Sequence, residues 1–243
     1  ANEYKPKEYL YGLDNRVVTQ MELEGIIKDG KLGADSIKNV VMIQCVGSRC
    51  DERPYCSRVC CNQAIKNAIA LKEMNKNINV TVLYRDIRSY GLNEINYRSA
   101  RKAGVQFVRY EPERKPEAVL DGGKLVIKAF EPILDMDIAF EADLLVLSAA
   151  IEPQTEQNKA LAQMLKVPLN QDGFFLEAHA KLRPVDFATE GVYLCGLAHA
   201  PKNLKESITQ GKAAAARAAT VISKDSLETE GTIAQVNESL CVG

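Results

Sequence analysis

Residues 39–75 read NVVMIQCVGSRCDERPYCSRVCCNQAIKNAIALKEMN, and this stretch decides the fold class. It opens on an apolar run typical of a buried strand and ends on apolar or small side chains at helical spacing. The members of this helical stripe are Ala64, Ile65, Ala68, Ile69, Leu71 and Met74. A dinucleotide-binding fold carries G-x-G-x-x-G at such a strand-to-helix turn, so that backbone N–H groups approach a pyrophosphate. Here the turn offers Val46-Gly47-Ser48 and then thiols, which indicates a site for a group that binds sulfur.

Five of the seven cysteines lie within seventeen residues, from Cys45 to Cys61. The segment ANEYKPKEY lacks the apolar core of a signal peptide, so we expect a cytoplasmic protein. In that compartment, clustered cysteines more often mean metal binding or redox chemistry than structural disulfides. The net charge of -1 gives no reason to expect nucleic acid or an anionic membrane as partner. No apolar run reaches the ~18 residues that a membrane span needs.

The segments that follow alternate between strand-like and helix-like patterns. NVTVLYRD and VQFVRY are strand-like, and LNEINYRSARKAG between them is helix-like, with Gly104 as its C-cap. This alternation predicts an α/β fold with a parallel sheet and crossover helices, interrupted by a small antiparallel β-meander at roughly 117–140. After residue 150 we expect a helix, a strand GVYLCG and a long Ala-rich helix that begins after Ser207 or Thr209.

Several long motifs of the chain resemble one family. The runs IQCVGSR, YCSRVCCNQAIKNA, LYRDIRSYG, GFFLEAHAKLRPVDF and YLCGLAHAPKNLKESITQGKAAAARAA are closely similar to the A subunit of heterodisulfide reductase, from about residue 35 to the end. That resemblance implies a flavin and iron–sulfur protein whose central part is like thioredoxin reductase, an FAD domain interrupted by a second Rossmann-like domain. The mixed composition of residues 1–37 predicts a strap or linker that leads into the main domain. The resemblance implies the inserted Rossmann-like domain with the cysteines over 38–150 and the C-terminal part of the FAD domain over 151–224. It also implies a linker over 225–243 to a truncated ferredoxin domain that begins at Cys241. We therefore expect a fragment of a longer protein.

The resemblance also implies a [4Fe-4S] cluster ligated by Cys45, Cys56, Cys60 and Cys61. Cys50 departs from the family pattern and is either an alternative ligand or a redox-active spare thiol. Two alternatives stay open on the residues themselves. The first is a zinc site, because four thiolates also suit zinc. The second is that the cysteines are free, buried side chains that bind nothing.

The spacing of the cysteines bears on their geometry. Cys56 and Cys60 are four residues apart, which predicts that both face one side of a first helical turn. Arg49, Arg53 and Arg58 lie nearby and are expected to stabilise thiolates and an anionic cluster, or else to be solvated surface.

The resemblance places a flavin beside the C-terminal segment. GVYLCGLAHA matches the segment where related flavoproteins carry Gly-Asp against FAD, but here Gly196 is followed by Leu197. We therefore expect backbone N–H groups or His199 to replace the missing carboxylate. Gln210 and Gly211 are expected near the pyrimidine edge of the flavin, on a helix that is otherwise a close-packed core helix.

Two lysines complete the predicted flavin site. Lys66 is expected to reach the flavin N5 region as the catalytic residue, because a cation there stabilises a reduced, anionic flavin; otherwise it is a solvent-facing lysine of its helix. Lys181 belongs to a polar group expected at the flavin edge. The other members of that group are Glu177, His179 and Arg183.

The function implied is electron transfer between FAD and [4Fe-4S] clusters, with flavin-based electron bifurcation in the full complex. The implied partners are the B and C subunits of heterodisulfide reductase, a hydrogenase or formate dehydrogenase-type electron donor, and ferredoxin. We expect the isolated fragment to be inactive and to hold FAD weakly or not at all. One alternative is a nicotinamide-dependent disulfide reductase, disfavoured because G-x-G-x-x-G and a redox-active Cys-x-x-Cys are missing. The other is a non-catalytic, zinc-stabilised docking module.

Overall fold

The computed structural model describes residues 1–33, 36–226, 236–237 and 239–240. Its strands are β1 (Asn2–Glu3), β2 (Val17–Thr19), β3 (Asn39–Val46), β4 (Asn79–Tyr84), β5 (Gln106–Arg109), β6 (Glu117–Asp121), β7 (Lys124–Glu131), β8 (Met136–Ala142), β9 (Leu144–Ala149) and β10 (Ile151–Glu152). Its helices are α1 (Gln20–Lys28), α2 (Cys60–Met74), α3 (Glu94–Lys102), α4 (Thr155–Leu165) and α5 (Leu204–Ile222), with 3-10 turns at Gly91–Asn93 and Gly196–Ala198.

The centre of the molecule is a five-stranded parallel sheet in the order β2-β9-β3-β4-β5. Its middle strands β3 and β9 are buried along nearly their whole length, as their unbroken apolar sequences require. The helices α2 and α3 form the crossovers between successive parallel strands. The predicted parallel sheet with crossover helices is confirmed.

Alternate residues of the sheet strands enter two cores, because successive side chains of a strand point to opposite faces. One core packs against α1, α2 and α3, and includes Val40, Met42, Val80, Val82 and Val146. The other packs against an antiparallel sheet in the order β6-β7-β8, and includes Val41, Ile43, Leu83, Leu145 and Leu147. This second sheet is the predicted meander, observed over 117–142.

The N-terminal 37 residues contribute to this architecture. Strand β2 pairs with β9 at one edge of the parallel sheet, and β1 pairs with β10. Helix α1 begins at a capping box in which Thr19 and Glu22 satisfy each other's backbone N–H groups. The predicted division of the chain at residues 37, 150 and 224 remains a prediction.

The segment after β10 differs from the sequence expectation in two places. GVYLCG forms no strand of a sheet, since its one pairing is an isolated bridge between Asp186 and Tyr193. Helix α5 begins at Leu204, earlier than predicted, because Asn203 and Glu206 form a capping box there. The predicted ferredoxin start at Cys241 lies outside the described residues. No helix in the described part of the chain is long and apolar enough to cross a membrane.

Candidate functional site

The end of strand β3 presents Cys45. The pairing of β3 with β9 shifts register between Ile43 and Val46, which is a bulge, and Cys45 there takes a φ of 63°. A bulge re-aims a side chain at the end of a strand. Burial raises the pKa of Cys45 to about 11, and the nearby Cys61 thiol is the second cause of this rise. Arg49 partly offsets it.

Gly47 follows this bulge in the turn that would hold a phosphate in a dinucleotide fold. Its φ is 70°, and a Cβ at this position would collide with the ring of Tyr4. The glycine therefore serves the packing of the N-terminal segment against the turn, since only glycine combines this φ with so close an approach.

Cys60 and Cys61 are the first two residues of α2, and both are buried. A hydrogen bond between the two thiols lowers the pKa of Cys61 to about 7 and, together with burial, raises that of Cys60. The Cys61 Sγ also donates to the Asp86 carbonyl oxygen at 3.8 Å.

Cys56 lies in the loop before α2, so the expectation that it shares the first helical turn with Cys60 is wrong. The chain is diverted at Arg58, whose φ of 60° is left-handed. This diversion aims the Arg58 backbone N–H at the Cys56 Sγ, 3.3 Å away. The loop is anchored by Ser57, whose Oγ accepts from the Ile151 N–H at 2.9 Å.

The four predicted ligands lie at successive points of one strand-loop-helix unit: Cys45 near the end of β3, Cys56 in the following loop, and Cys60 and Cys61 at the start of α2. The charges of Cys45, Cys56 and Cys61 contribute to the raised pKa of Cys60. Cys50 instead donates to the Gly47 carbonyl oxygen at 3.8 Å.

As they stand, none of the described His, Cys, Asp and Glu side chains forms a group of three or more that could hold a metal ion. The six described cysteines are free of disulfides. Cys45, Cys56, Cys60 and Cys61 are free thiols, which are the donor type of both a [4Fe-4S] cluster and zinc, so the residues fit either group in kind. The ligand set remains a prediction.

Arginines surround the cysteine loop, but not all of the predicted ones. Arg49 interacts with Cys45 and with Asp86, whose Oδ1 is 2.6 Å away. Arg88 interacts with both Asp86 and Cys56, and sequence reasoning missed it although it lies in the motif LYRDIRSYG. Arg53 instead stacks on the N-terminal segment, with its guanidinium 4.2 Å from the centre of the Tyr4 ring.

A cavity of about 490 Å³ opens beside Cys56. Its lining comes from the cysteine loop, the segment after β4 and the turn before α5: Tyr55, Cys56, Arg58, Arg88, Tyr90, Ala200 and Pro201. The loop therefore adjoins the predicted flavin side of the chain.

A hydrogen-bonded network holds the predicted flavin residues. The Gly196 N–H donates to Gln210 Oε1 at 2.8 Å, and Gln210 Nε2 donates to His199 Nδ1 at 2.9 Å. His199 Nε2 then lies 2.7 Å from Glu177 Oε2. The structure thus brings Gly196, His199, Gln210 and Glu177 together.

The geometry of this turn bears on flavin binding. Gly196 has a φ of 66°, and a Cβ placed on it would meet no heavy atom within 4 Å. A Cβ placed on Gly211 would likewise meet no heavy atom within 4 Å, and Leu197 is 36% exposed. The turn therefore leaves room for a ligand against its backbone, which fits FAD, although the Gly196 N–H is taken by Gln210.

Lys202 is a member of this network that sequence reasoning missed. Its buried Nζ donates to the carbonyl oxygens of Gly196 at 2.8 Å and Ala200 at 3.1 Å. Burial lowers the pKa of Lys202, and the positive charge of Arg58 is the second cause of this decrease. Nothing in the local pattern APKN marks this lysine as buried.

The two lysines of the predicted flavin site make contacts outside the Gly196 network, and their roles at the flavin remain predictions. Lys66 Nζ pairs with Glu24 Oε1 at 2.7 Å, on the side of α2 that faces α1, and its side chain is 61% exposed. Lys181 is exposed, and its backbone N–H donates to His179 Nδ1 at 3.1 Å in a local turn. Neither is joined to the Gly196 network by a contact in the described structure.

A buried ion pair fastens α5 to the segment that precedes the network. Arg217 Nε lies 3.0 and 3.3 Å from the two carboxylate oxygens of Asp186, whose side chain is only 4% exposed. Arg183 Nη2 lies 3.9 Å from the same carboxylate, so removal of Arg217 leaves buried Asp186 with a longer and weaker ion pair.

We expect Arg217→Ala to lower the free energy of unfolding by about 2 kcal/mol. This is less than the loss expected on breaking a fully buried ion pair, because Arg217 is itself half exposed. Urea unfolding of the complete polypeptide measures this. Lys212→Ala on the same helix is the control and should change stability by less than ~0.5 kcal/mol. Equal effects of the two substitutions would contradict a role for the ion pair.

No protein-family model matches the chain. Among solved structures, the fold is similar to thioredoxin reductase of T. acidophilum, with a TM-score of 0.55 and 15% identity over 92% of this chain and 63% of that one. Thioredoxin reductase of Lactococcus lactis gives a TM-score of 0.53 and 14% identity, over 90% of this chain and 60% of that one. The chain therefore has a Rossmann-like fold of the thioredoxin reductase type, and the predicted fold class is confirmed.

Comparison with curated proteins identifies more similar relatives within this class of fold. An iron-sulfur A subunit of the CoB–CoM heterodisulfide reductase of Methanopyrus kandleri is 36% identical over 250 residues, covering 98% of this chain and 38% of that protein. The A subunit of the H(2):CoB-CoM heterodisulfide,ferredoxin reductase of Methanothermobacter thermautotrophicus is 37% identical over 251 residues, covering 97% of this chain and 37% of that protein. The chain is thus a homologue of the heterodisulfide reductase A subunits over nearly its whole length, which confirms the resemblance seen in its sequence. It spans less than two fifths of the length of these relatives.

Proposed function

We propose that the chain is an electron-transfer portion of a heterodisulfide reductase A subunit, and that its cysteine loop holds a [4Fe-4S] cluster. The observation that carries this is the placement of four free thiols, Cys45 near the end of β3, Cys56 in the following loop and Cys60 and Cys61 at the start of α2, at the strand-to-helix turn where a dinucleotide-binding fold would hold a phosphate. The names of the relatives, which include the words iron-sulfur and ferredoxin reductase, support an oxidoreductase role.

The protein's own groups would serve this cluster in three ways. The four thiolates would ligate iron, and Arg49 and Arg88 would offset their negative charge. The Arg58 N–H would donate to the Cys56 sulfur. Hydrogen bonds and charges of this kind set the potential of an iron–sulfur cluster.

On the flavin side, we propose that Gly196, Leu197, His199, Gln210 and Gly211 contact FAD. When bound, FAD supplies a carrier of two electrons that exchanges with one-electron clusters, which is the basis for electron bifurcation. Gln210 and Lys202 hold the Gly196–Ala198 turn in place from its N–H and C=O sides. Lys181, on its exposed turn, would contact the edge of the flavin.

The proposed partners are the B and C subunits of heterodisulfide reductase, a hydrogenase or formate dehydrogenase-type donor, and ferredoxin, in the cytoplasm. The chain carries only part of the relatives' length, so we propose that it is inactive in isolation and holds FAD weakly. The basis for naming ferredoxin and a heterodisulfide is that both words appear in the names of the relatives.

Lys66 is proposed to act on the flavin, and its ion pair with Glu24 makes the proposal testable. We expect Lys66→Ala to lower the flavin midpoint potential, because a nearby cation stabilises the negative charge gained on reduction. Glu24→Gln should raise it, because it removes an anion and leaves the lysine unpaired.

A spectroelectrochemical titration of the complete polypeptide measures both shifts. Lys76→Ala, an exposed lysine in the loop after α2, is the control and should leave the potential unchanged. A flavin potential that stays unchanged in Lys66→Ala contradicts the proposed role of this lysine.

A further inference from the structure

Glu206 joins three segments of the chain at the start of α5. Its Oε1 accepts from the guanidinium of Arg58 at 2.7 Å and from the Tyr90 hydroxyl at 2.6 Å. Its Oε2 accepts from the Asn203 N–H at 3.2 Å, which is one half of the α5 capping box. Arg58 also donates to the Tyr90 hydroxyl at 2.9 Å, which closes a triangle of contacts.

The backbone of Arg58 is held in an unusual conformation beside this triangle. Its φ is 60°, in the left-handed region that costs a residue with a Cβ free energy unless its surroundings impose it. In that conformation its N–H points at the Cys56 Sγ, at 3.3 Å. The side chain of the same residue is the one that Glu206 holds.

Helix α5 carries a second contact one turn further on. Gln210 lies four residues after Glu206, on the same side of the helix, and accepts the Gly196 N–H. The first two turns of α5 therefore hold the cysteine loop through Glu206 and the predicted flavin turn through Gln210.

We propose that Glu206 is a positioning residue for the cysteine loop: through Arg58 it holds a backbone N–H against the Cys56 sulfur, and so links the potential of the site to the position of α5. This proposal deepens the function proposed above and rests on it. The hydrogen bond in question is made to the sulfur of a proposed ligand, and hydrogen bonds to the sulfurs help set the potential of an iron–sulfur cluster.

A double-mutant cycle separates this contact from plain electrostatics. Arg58→Gln, Glu206→Gln and the double variant each change a charge near the cluster, and the separate Coulomb effects of two charges add. A departure from additivity therefore reports on the contact itself. Glutamine at 206 retains the helix cap, because Gln serves at this position of a capping box as Glu does.

The readout is the midpoint potential of the cluster in the complete polypeptide purified without oxygen, followed by EPR during a redox titration. The signal of this site is the one that disappears in Cys56→Ser. We expect Glu206→Gln to shift the ratio of reduced to oxidised cluster at a fixed potential by about threefold when Arg58 is present, and much less when Arg58 is replaced by Gln.

Two results overturn the proposal, and they differ in what else they overturn. Strictly additive shifts, in a protein that holds the cluster, reject the role of Glu206 and leave the cluster intact. A wild-type protein with no EPR signal that depends on Cys56, even after reconstitution with iron and sulfide, rejects the cluster and the positioning role together.

Discussion

Cys60→Ser is expected to remove the cluster of the cysteine loop from the complete polypeptide, with a loss of about four iron and four acid-labile sulfide per chain. Cys60 is buried at the first position of α2, and its pKa is influenced by the charges of the other three predicted ligands. A serine hydroxyl is a poor substitute for a thiolate toward iron, so the cluster would lose one of its four protein ligands.

Cys50→Ser is the matched control, since Cys50 belongs to the same loop but contacts the Gly47 carbonyl oxygen instead of the other thiols. Iron and sulfide should stay at the wild-type level in this variant. If Cys50→Ser loses the cluster and Cys60→Ser keeps it, the proposed assignment of ligands is wrong.

Gln210→Leu is expected to weaken FAD binding to the complete polypeptide by about tenfold to a hundredfold. Gln210 accepts the Gly196 N–H and donates to His199 Nδ1, so its loss removes the acceptor of the Gly196 N–H and leaves His199 Nδ1 with the longer 3.4 Å contact to Lys202, at the turn proposed to contact the flavin. Each unsatisfied polar group costs about 1–3 kcal/mol, and each 1.4 kcal/mol is about a factor of ten in affinity. Titration of the apoprotein with FAD, followed by flavin fluorescence, gives the dissociation constants.

Thr209→Ala is the control for this substitution. Thr209 is the exposed neighbour of Gln210 on α5, and its hydroxyl donates to the Lys205 carbonyl oxygen of its own helix. FAD affinity should be unchanged in this variant. An affinity that Gln210→Leu leaves intact would show that the flavin does not depend on the Gly196 turn.

The sequence predicted the parts of the fold that depend on local pattern. The apolar run of residues 39–45 became the central strand β3, and the helical stripe through Ala64 and Ala68 became the face of α2 that packs on the sheet. The segments of the meander were likewise predictable, because strands and turns alternate there at short range.

The errors have local causes as well. The spacing of Cys56 and Cys60 fits a helical turn, but the left-handed backbone at Arg58 ends any such turn. The Ala-rich pattern predicts a start of α5 after Ser207 or Thr209, whereas the N-x-x-E spacing of Asn203 and Glu206 marks the observed cap. GVYLCG has the composition of a strand, yet the described structure gives it a single bridge as partner.

The contacts of the site were beyond the reach of sequence reasoning because they join distant segments. Glu206 meets Arg58 across 148 positions, and Lys66 meets Glu24 across the interface of two helices. Lys202 is buried by the fold of its own turn, and no periodic pattern marks it. The direction of the Cys45 side chain likewise depends on a bulge in the pairing of β3 with β9, two strands that are far apart in the sequence.

The most direct test of the central claim is the iron, zinc and acid-labile sulfide content of the protein purified without oxygen, together with a low-temperature EPR spectrum after reduction with dithionite. The account predicts about four iron and four sulfide for the cysteine loop and the signal of a reduced [4Fe-4S] cluster, both lost in Cys60→Ser. One zinc and no sulfide in the loop would contradict it and would favour a zinc-stabilised docking module.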